Sequence, residues 1–424
     1  MASLQRHLKN GRNSVTILRK GNRHVCRKRE VAENIQFLSF IRVEAYHPRV
    51  IYEVASAGKM ITDKNSNNPY CQKKRKKWPI VGGVSLFLFI VYWVLVYFLV
   101  SAALVPSFMK KLDAFSEVTE KGIAGQVHTT EVQENHRKAI EETNNWLKTV
   151  KHKKYRITSR DGYELVAMEF EPEPVSGSAV GTEKTEKESE SSSAGVKKNE
   201  HTDAHNWVLV LHGYTGWKEE MYPFAMEYVK RGYHALVPDL RCQGESDGDF
   251  IGMGLTDSVD CLLWLEGIRK LDPEARVVIH GQSMGAATAL IMSGMSDLPS
   301  YVRAIVSDCS YTDAYEMFEA KIGDWFSLPA FPLVDSARWM LMLRGGYDLY
   351  FASAIDAVKR SHTPTLFIHG TDDQMISPEM SRELYDAEAC EKKELLLVEG
   401  AGHAQSQDKN PDLYYETIFR FLLE

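Results

Sequence analysis

Four short stretches of this chain carry the residue types of a proton-relay nucleophile, and they are far apart in sequence. A serine lies between two glycines in HGQSMGAAT (280–288), two aspartates sit in TLFIHGTDDQMISPE (365–379), and a histidine sits in ELLLVEGAGHAQS (394–406). An early segment, WVLVLHGYTG (207–216), ends in backbone of the kind that donates N–H groups. A serine hydroxyl is a weak nucleophile unless an imidazole accepts its proton and a carboxylate orients that imidazole. The chemistry these types support together is acyl transfer from an ester or amide. Ser283 is the candidate nucleophile, His403 the candidate base, and Asp372 or Asp373 the candidate acid.

Such side chains can meet only if the elements before them end at a common edge. Six apolar runs, WVLVLHG, HALVPD, RVVIHG, RAIVSD, TLFIHG and ELLLVEG, each close on glycine or a polar residue, and most are separated by enough chain for a helix. Continuous apolar strands alternating with helices predict a mostly parallel sheet covered on both faces, with its site at the strands' carboxyl ends. Ser283 then falls in the turn between strand Arg276–Ile279 and a helix over Ala286–Gly294. Glycines at 281 and 285 relieve crowding in so sharp a turn, which aims the hydroxyl at the positive end of the helix. The negative charge developing on a substrate carbonyl needs donors; the N–H of Met284 and that of Tyr214 are the candidates. His212, His280 and His369 each occupy a strand-end His-Gly pair and read as loop-shaping residues. None has metal-ligand spacing with another, so no metal site and no cofactor is expected.

The 424 residues have an ordinary globular composition, 44% hydrophobic and 25% charged, and the net charge of −6 gives no reason to expect a nucleic-acid partner. The 6 cysteines form no C-x-x-C pair and no dense framework, so they read as isolated thiols. A different signal dominates the N-terminal part. Between Trp78 and Met109 there is no charged residue, and PIVGGVSLFLFIVYWVLVYFLVSAALVP exceeds the roughly 20 apolar residues that cross a hydrocarbon core. That length also exceeds the apolar stretch of a cleaved signal peptide, about 7–15 residues. The segment 78–106 is therefore expected to be a retained transmembrane anchor. KKRKK (73–77) immediately before it places the N-terminal side in the cytoplasm and the rest outside. Residues 1–77 read as a basic cytoplasmic N-terminal segment, of which 1–59 are either a cytoplasmic tail or not native protein. Met60 opens MITDKNSNNPYCQKKRKKWPI, which alone resembles the start of a membrane-anchored bacterial protein, so translation is expected to begin there.

After the anchor, residues 107–150 have apolar positions at helical spacing (Val132, Ile140, Trp146, Leu147, Val150) and read as a stalk or packing helix. KYRITSRDGYELVAMEFEPEP (154–174) alternates around Asp161-Gly162 as a hairpin does. The polar, Ser/Glu/Lys-rich insertion 174–205 lacks the apolar surface to offset its ordering entropy and is expected to be disordered. Residues 311–358 are helical, aromatic and methionine-rich. They read equally as core packing and as a short lid over a hydrophobic substrate pocket.

With these residues placed, the chain resembles the α/β-hydrolase superfamily. More closely it looks like membrane-anchored hydrolases of Gram-positive bacteria in the serine aminopeptidase-like branch. The resemblance is carried by LHGYTG (211–216), PDLRCQGESDGDFIGMG (238–254), HGQSMGAAT, SDCSYTDAYE (307–316), FIHGTDDQMISP (367–378) and GAGHAQS (400–406). It implies an α/β-hydrolase fold over 151–424 with a mostly parallel central sheet, a short helical lid and one transmembrane helix ahead of it. It further implies Ser283 as nucleophile, Asp373 rather than Asp372 as acid, His403 as base, and Tyr214 and Met284 as oxyanion donors. One departure is Cys242-Gln243-Gly244, where members of this group commonly have Gly-His-Gly.

The expected function is a cell-membrane serine esterase acting on small ester or acyl substrates from the extracytoplasmic side. An exopeptidase or amidase with the same triad, and a non-catalytic surface binding protein on this scaffold, are the competing expectations. Two measurements check the organisation. N-terminal peptide mapping should recover nothing before Met60, and a reporter fused after Glu424 that works only in the cytoplasm should stay silent.

Overall fold

The computed structural model describes residues 78–109, 129–172 and 205–424. The basic segment 1–77 with its expected start at Met60, residues 110–128, and the expected disordered insertion 174–205 apart from His205 lie outside the described residues. The chain divides into units Met1–Pro79 and Ile80–Glu424; apart from Trp78 and Pro79, the described residues all belong to the second.

That helix, α1 (Trp78–Leu104), spans 27 residues without one charge. Its stretch Gly82–Leu104 has a mean hydropathy of 2.5 and is long and apolar enough to cross a membrane. Its surface changes character along its length. Leu86, Phe87, Leu88 and Phe89 are each at least 60% exposed, whereas Val96, Val100, Ala102 and Leu104 are buried against the globular part. A helix that is hydrophobic all round must be covered by something, protein or lipid. Here the globular part covers only the C-terminal end.

Helix α2 (Thr130–Trp146) starts where Thr129 Oγ1 accepts the N–H of Val132, a side-chain cap. It lies on the domain, as a packing helix does. Asn135 Nδ2 donates to the Asp408 carbonyl at 2.9 Å, and the Trp146 ring meets the Phe170 ring with centroids 4.8 Å apart. Of the expected apolar positions Val132 and Val150 are buried, while Ile140 faces out. The hairpin comes next: β1 (His152–Thr158) pairs antiparallel with β2 (Glu164–Phe170), and Gly162 takes the left-handed φ of 89° that the turn requires.

The remaining strands are β3 (Asn206–Leu211), β4 (His234–Pro238), β5 (Arg276–Gln282), β6 (Val302–Asp308), β7 (Thr365–Gly370) and β8 (Lys393–Val398). All six are parallel, in an 8-stranded sheet of order β1-β2-β4-β3-β5-β6-β7-β8. Alternation within the buried runs splits the core in two. Leu209, Leu211, Val277, Ile279 and Phe367 face one layer with α4 (Leu255–Leu271) and α5 (Met284–Ser293). Val208, Val210, Val278, Val306 and Ile368 face the other, with α3 (Tyr222–Val229) and α10 (Pro411–Leu423). The chain runs outward from β3 to β4 and returns to β5, so direction reverses between β3 and β5. A crevice opens at the carboxyl ends at such a reversal.

Between β6 and β7 stand α6 (Ala314–Phe326), α7 (Ala330–Gly345) and α8 (Ala354–Val358), and α9 (Pro378–Ala387) comes after β7. The helices between β6 and β7 occupy the span expected as a lid. Phe170 locks the hairpin to the rest: it is fully buried, between Trp146 and Tyr222. Phe170→Ala should cost about 3–5 kcal/mol, read as a lower midpoint in denaturant unfolding.

Candidate active site

The turn after β5 is shaped by steric necessity. Ser283 has φ 54° and ψ −116°, a left-handed geometry that a β-carbon tolerates poorly. Its N–H is held by the Asp308 carbonyl at 2.8 Å. A β-carbon at position 281 would lie 2.1 Å from the Gly285 carbonyl oxygen; one at position 285 would lie 2.3 Å from that of Leu211. Position 281 is glycine because the first turn of α5 folds back over the end of β5, and position 285 because α5 presses directly on the end of β3. Ser283 consequently stands at the N-terminus of α5, where free N–H groups and the helix dipole favour negative charge.

The loop after β8 carries the imidazole to this hydroxyl. His403 Nε2 lies 3.0 Å from Ser283 Oγ, and His403 Nδ1 lies 2.7 Å from Asp373 Oδ2. A carboxylate only accepts, so Nδ1 carries the proton and Nε2 is left to accept from the serine. Asp373 Oδ1 accepts the N–H groups of Met375 and Ile376 at 2.9 and 2.8 Å, which fixes the carboxylate. Asp372 is exposed, accepts the Thr371 hydroxyl, and donates its N–H to the Ala401 carbonyl. It shapes the loop and stays away from His403.

Tyr214 and Met284 lie beside Ser283 at the wall of one cavity. Met284 is the first residue of α5, so its N–H meets no carbonyl of its own helix. The Tyr214 loop comes close because Gly213 has no side chain: a β-carbon there would sit 3.4 Å from the Ser283 Cβ. His212 braces that loop. Its Nδ1 donates to the Gly213 carbonyl at 2.8 Å and its Nε2 accepts the Leu240 N–H at 2.9 Å. Burial lowers its pKa to about 4, which keeps the ring neutral and able to do both.

The cavity measures about 150 Å³ and is almost entirely apolar, walled by side chains such as Met317, Phe318, Leu333, Val334 and Leu341 from α6 and α7. The inner faces of these helices therefore line the space above Ser283 while also joining the hydrophobic core. Residues of α1 complete the wall, and the Tyr214 hydroxyl donates to the Ala103 carbonyl.

Three contacts at the site are not legible as such in the sequence. The first is His369, expected to be loop-shaping. Its Nε2 donates to Asp373 Oδ2 and to the Ile376 carbonyl, each at 3.0 Å, while Nδ1 accepts the Ser381 hydroxyl. Asp373 therefore holds two imidazoles on one oxygen. Burial pushes its carboxyl up, but the hydrogen bonds from His369 and His403 outweigh this and hold it well below the usual carboxylate range. The second is Cys309, whose sulfur approaches the Asp373 and His403 donor atoms at a spacing that would suit a metal ion. Burial raises that thiol far above its ordinary pKa, so it stays protonated, and the other two groups are committed to each other. The donor set suits a hydrogen-bonded relay better than a metal. The third is the Cys242 loop, which closes without a histidine: Asp239 Oδ2 accepts Lys218 Nζ at 2.7 Å, and Gly244 makes room for that carboxylate.

Two consequences are measurable. A carboxyl with a depressed pKa stabilises the fold above its unfolded value, near about 3.9, and that stability is lost as pH falls through the folded value. His369→Phe removes one donor, raises the folded pKa of Asp373, and should move acid unfolding monitored by circular dichroism to higher pH. Gly285→Ala should destabilise by several kcal/mol, about 3 or more, because backbone on two elements would have to move apart.

Comparison with known proteins agrees with this architecture. Residues 208–417 match the alpha/beta hydrolase family. The uncharacterized protein YqkD of Bacillus subtilis is 29% identical over 223 residues, covering 52% of this chain and 72% of that protein. A carboxylesterase of Bacillus subtilis is 24% identical over 235 residues, covering 51% of this chain and 91% of its own length. Among solved structures, the Pyrococcus furiosus esterase Pf2001 aligns with a TM-score of 0.47 and 18% identity over 65% of this chain and 92% of its own. With its mostly parallel 8-stranded sheet and this match, the chain belongs to the alpha/beta hydrolase family.

Proposed function

We propose that the protein is a membrane-anchored serine hydrolase that cleaves carboxylic esters through an acyl-enzyme intermediate. The observation that carries this reading is the unbroken line from Ser283 Oγ through His403 to Asp373 Oδ2, with contacts of 3.0 and 2.7 Å. His403 Nε2 takes the Ser283 proton as Oγ attacks the ester carbonyl. Negative charge gathers on the former carbonyl oxygen, against the N–H groups of Met284 and Tyr214. His403 then returns the proton to the leaving alcohol, activates water against the acyl-enzyme, and Ser283 is restored with release of the acid. Asp373 keeps the imidazole in the Nδ1–H tautomer throughout and stabilises the imidazolium.

An ester with an apolar acyl part suits the cavity better than a peptide does. A peptide terminus would need a charged partner inside. Among the described residues that line it, the one charged side chain, Arg338, is already committed to Asp348, with two nitrogens each 2.5 Å from the carboxylate. Similarity to a carboxylesterase supports the same choice. The long uncharged α1, exposed over most of its length, supports a single-pass anchor, and the basic KKRKK run supports an extracytoplasmic domain. α6 and α7 serve as the lid in this reading.

Ser283→Ala should abolish both turnover of a short-chain aryl ester and covalent labelling by a fluorophosphonate. Retained labelling removes the assignment. Asp373→Asn should leave the fold intact and cut kcat by about 10⁴-fold, because the wrong imidazole tautomer then faces the serine.

A further inference from the structure

Four residues of the apolar helix, Leu99, Val100, Ala103 and Leu104, line the same cavity as Ser283. An anchor that only tethers needs no such contact. Several bonds fix this end of α1 to the domain. The Leu104 carbonyl accepts the Ile251 N–H at 2.9 Å, and the Ala103 carbonyl accepts the hydroxyl of Tyr214, which lines the cavity together with Ser283.

Helix α7 runs alongside α1 in the same direction. At its C-terminal end, Arg344 donates to Ser101 Oγ at 2.8 Å and lies over the Tyr97 ring at 4.0 Å. Toward its N-terminal end, the Tyr92 hydroxyl bonds Ser336 Oγ at 2.7 Å and donates to the Pro332 carbonyl at 3.2 Å. From Ser101 back to Tyr92 is nine residues, roughly 13 Å of helix. If Arg344 marks the polar boundary, as a long cationic side chain at a helix end does, the start of α7 lies well inside the hydrocarbon region.

The side chains of α7 are sorted for that position. Its charges turn to protein partners: Arg338 pairs with Asp348, and Asp335 accepts the Tyr315 hydroxyl at 3.0 Å. Phe331, Trp339 and Leu343 point outward at 76%, 57% and 80% exposure, while Leu333, Val334 and Leu341 face the cavity. In water, three large exposed apolar side chains on one short helix would be a liability. Beside an exposed apolar span they extend the same surface, which commits the occupant to the acyl region of a bilayer.

On the reading that the protein is an anchored serine hydrolase, we infer that the membrane helix is itself a wall of the acyl site. Leu99, Val100 and Ala103 then set how long an acyl chain is accepted, and α7 is seated in the leaflet so that acyl esters enter Ser283's cavity laterally from the bilayer. The substrate class is an ester whose acyl chain already resides in a membrane.

The test uses the full-length protein in phosphatidylcholine vesicles. The ratio of turnover of a membrane-resident aryl laurate to that of soluble aryl acetate is measured for wild type and for Val100→Phe and Ala103→Leu. Filling the wall should lower this ratio at least about tenfold, the scale on which a hydrophobic pocket discriminates chain volume. A ratio unchanged in both variants overturns the inference. Fluorophosphonate labelling of wild-type Ser283 reports separately on the hydrolase reading. A measurement independent of turnover compares Trp fluorescence of wild type and Trp339→Phe. The component lost in the variant should be quenched by lipids brominated in their acyl chains; quenching by aqueous iodide alone overturns the seating of α7.

Discussion

The contact on which the site rests is that between Gly285 and the carbonyl oxygens of Leu211 and His212. Because no side chain intervenes, α5 packs onto the end of β3 at backbone distance, and two loops that diverge in sequence are forced together. One holds Ser283 in a left-handed conformation; the other brings Gly213 and Tyr214 alongside it. The proposed nucleophile and the backbone proposed to stabilise charge are therefore positioned by the same close approach. Such rigidity suits catalysis, which depends on groups held where charge will develop rather than moved there during reaction.

Beyond Ser283, the arrangement rests on side-chain hydrogen bonds rather than on backbone packing. His403 comes from a loop, and its orientation depends on the Asp373 carboxylate, which is itself fixed by two backbone N–H groups and a second imidazole. Full burial of an ionised carboxylate is costly unless every lone pair is met. Here the donors meet that demand, so the group stays charged in a nearly dry site.

Much of this is legible in the residues alone. The six apolar runs ending in glycine or a polar residue are the six parallel strands, and Asp161-Gly162 is the hairpin turn. Period-2 burial and glycine chemistry are local signals, and local signals survive in a single sequence. What escapes depends on distance across the fold. His212, His280 and His369 look alike as strand-end His-Gly pairs, yet one braces the Tyr214 loop, one bonds Tyr414 and one meets Asp373. Likewise Tyr92 and Tyr97 sit at mid-span, where an interfacial aromatic has no reason to be. They are there to hold α7, more than 230 residues further along the chain.

The hydroxyl of Tyr214 on the Ala103 carbonyl joins the apolar helix to the loop beside Ser283, so the proposed tether and the proposed chemistry share one contact. Trimming the protein to begin after Leu104, the usual route to a soluble enzyme, would strip away one side of the cavity and leave that hydroxyl without its acceptor. On the proposed reading, the shortened protein would keep Ser283, His403 and Asp373 and still be a different catalyst, open to water where α1 closes the full-length one.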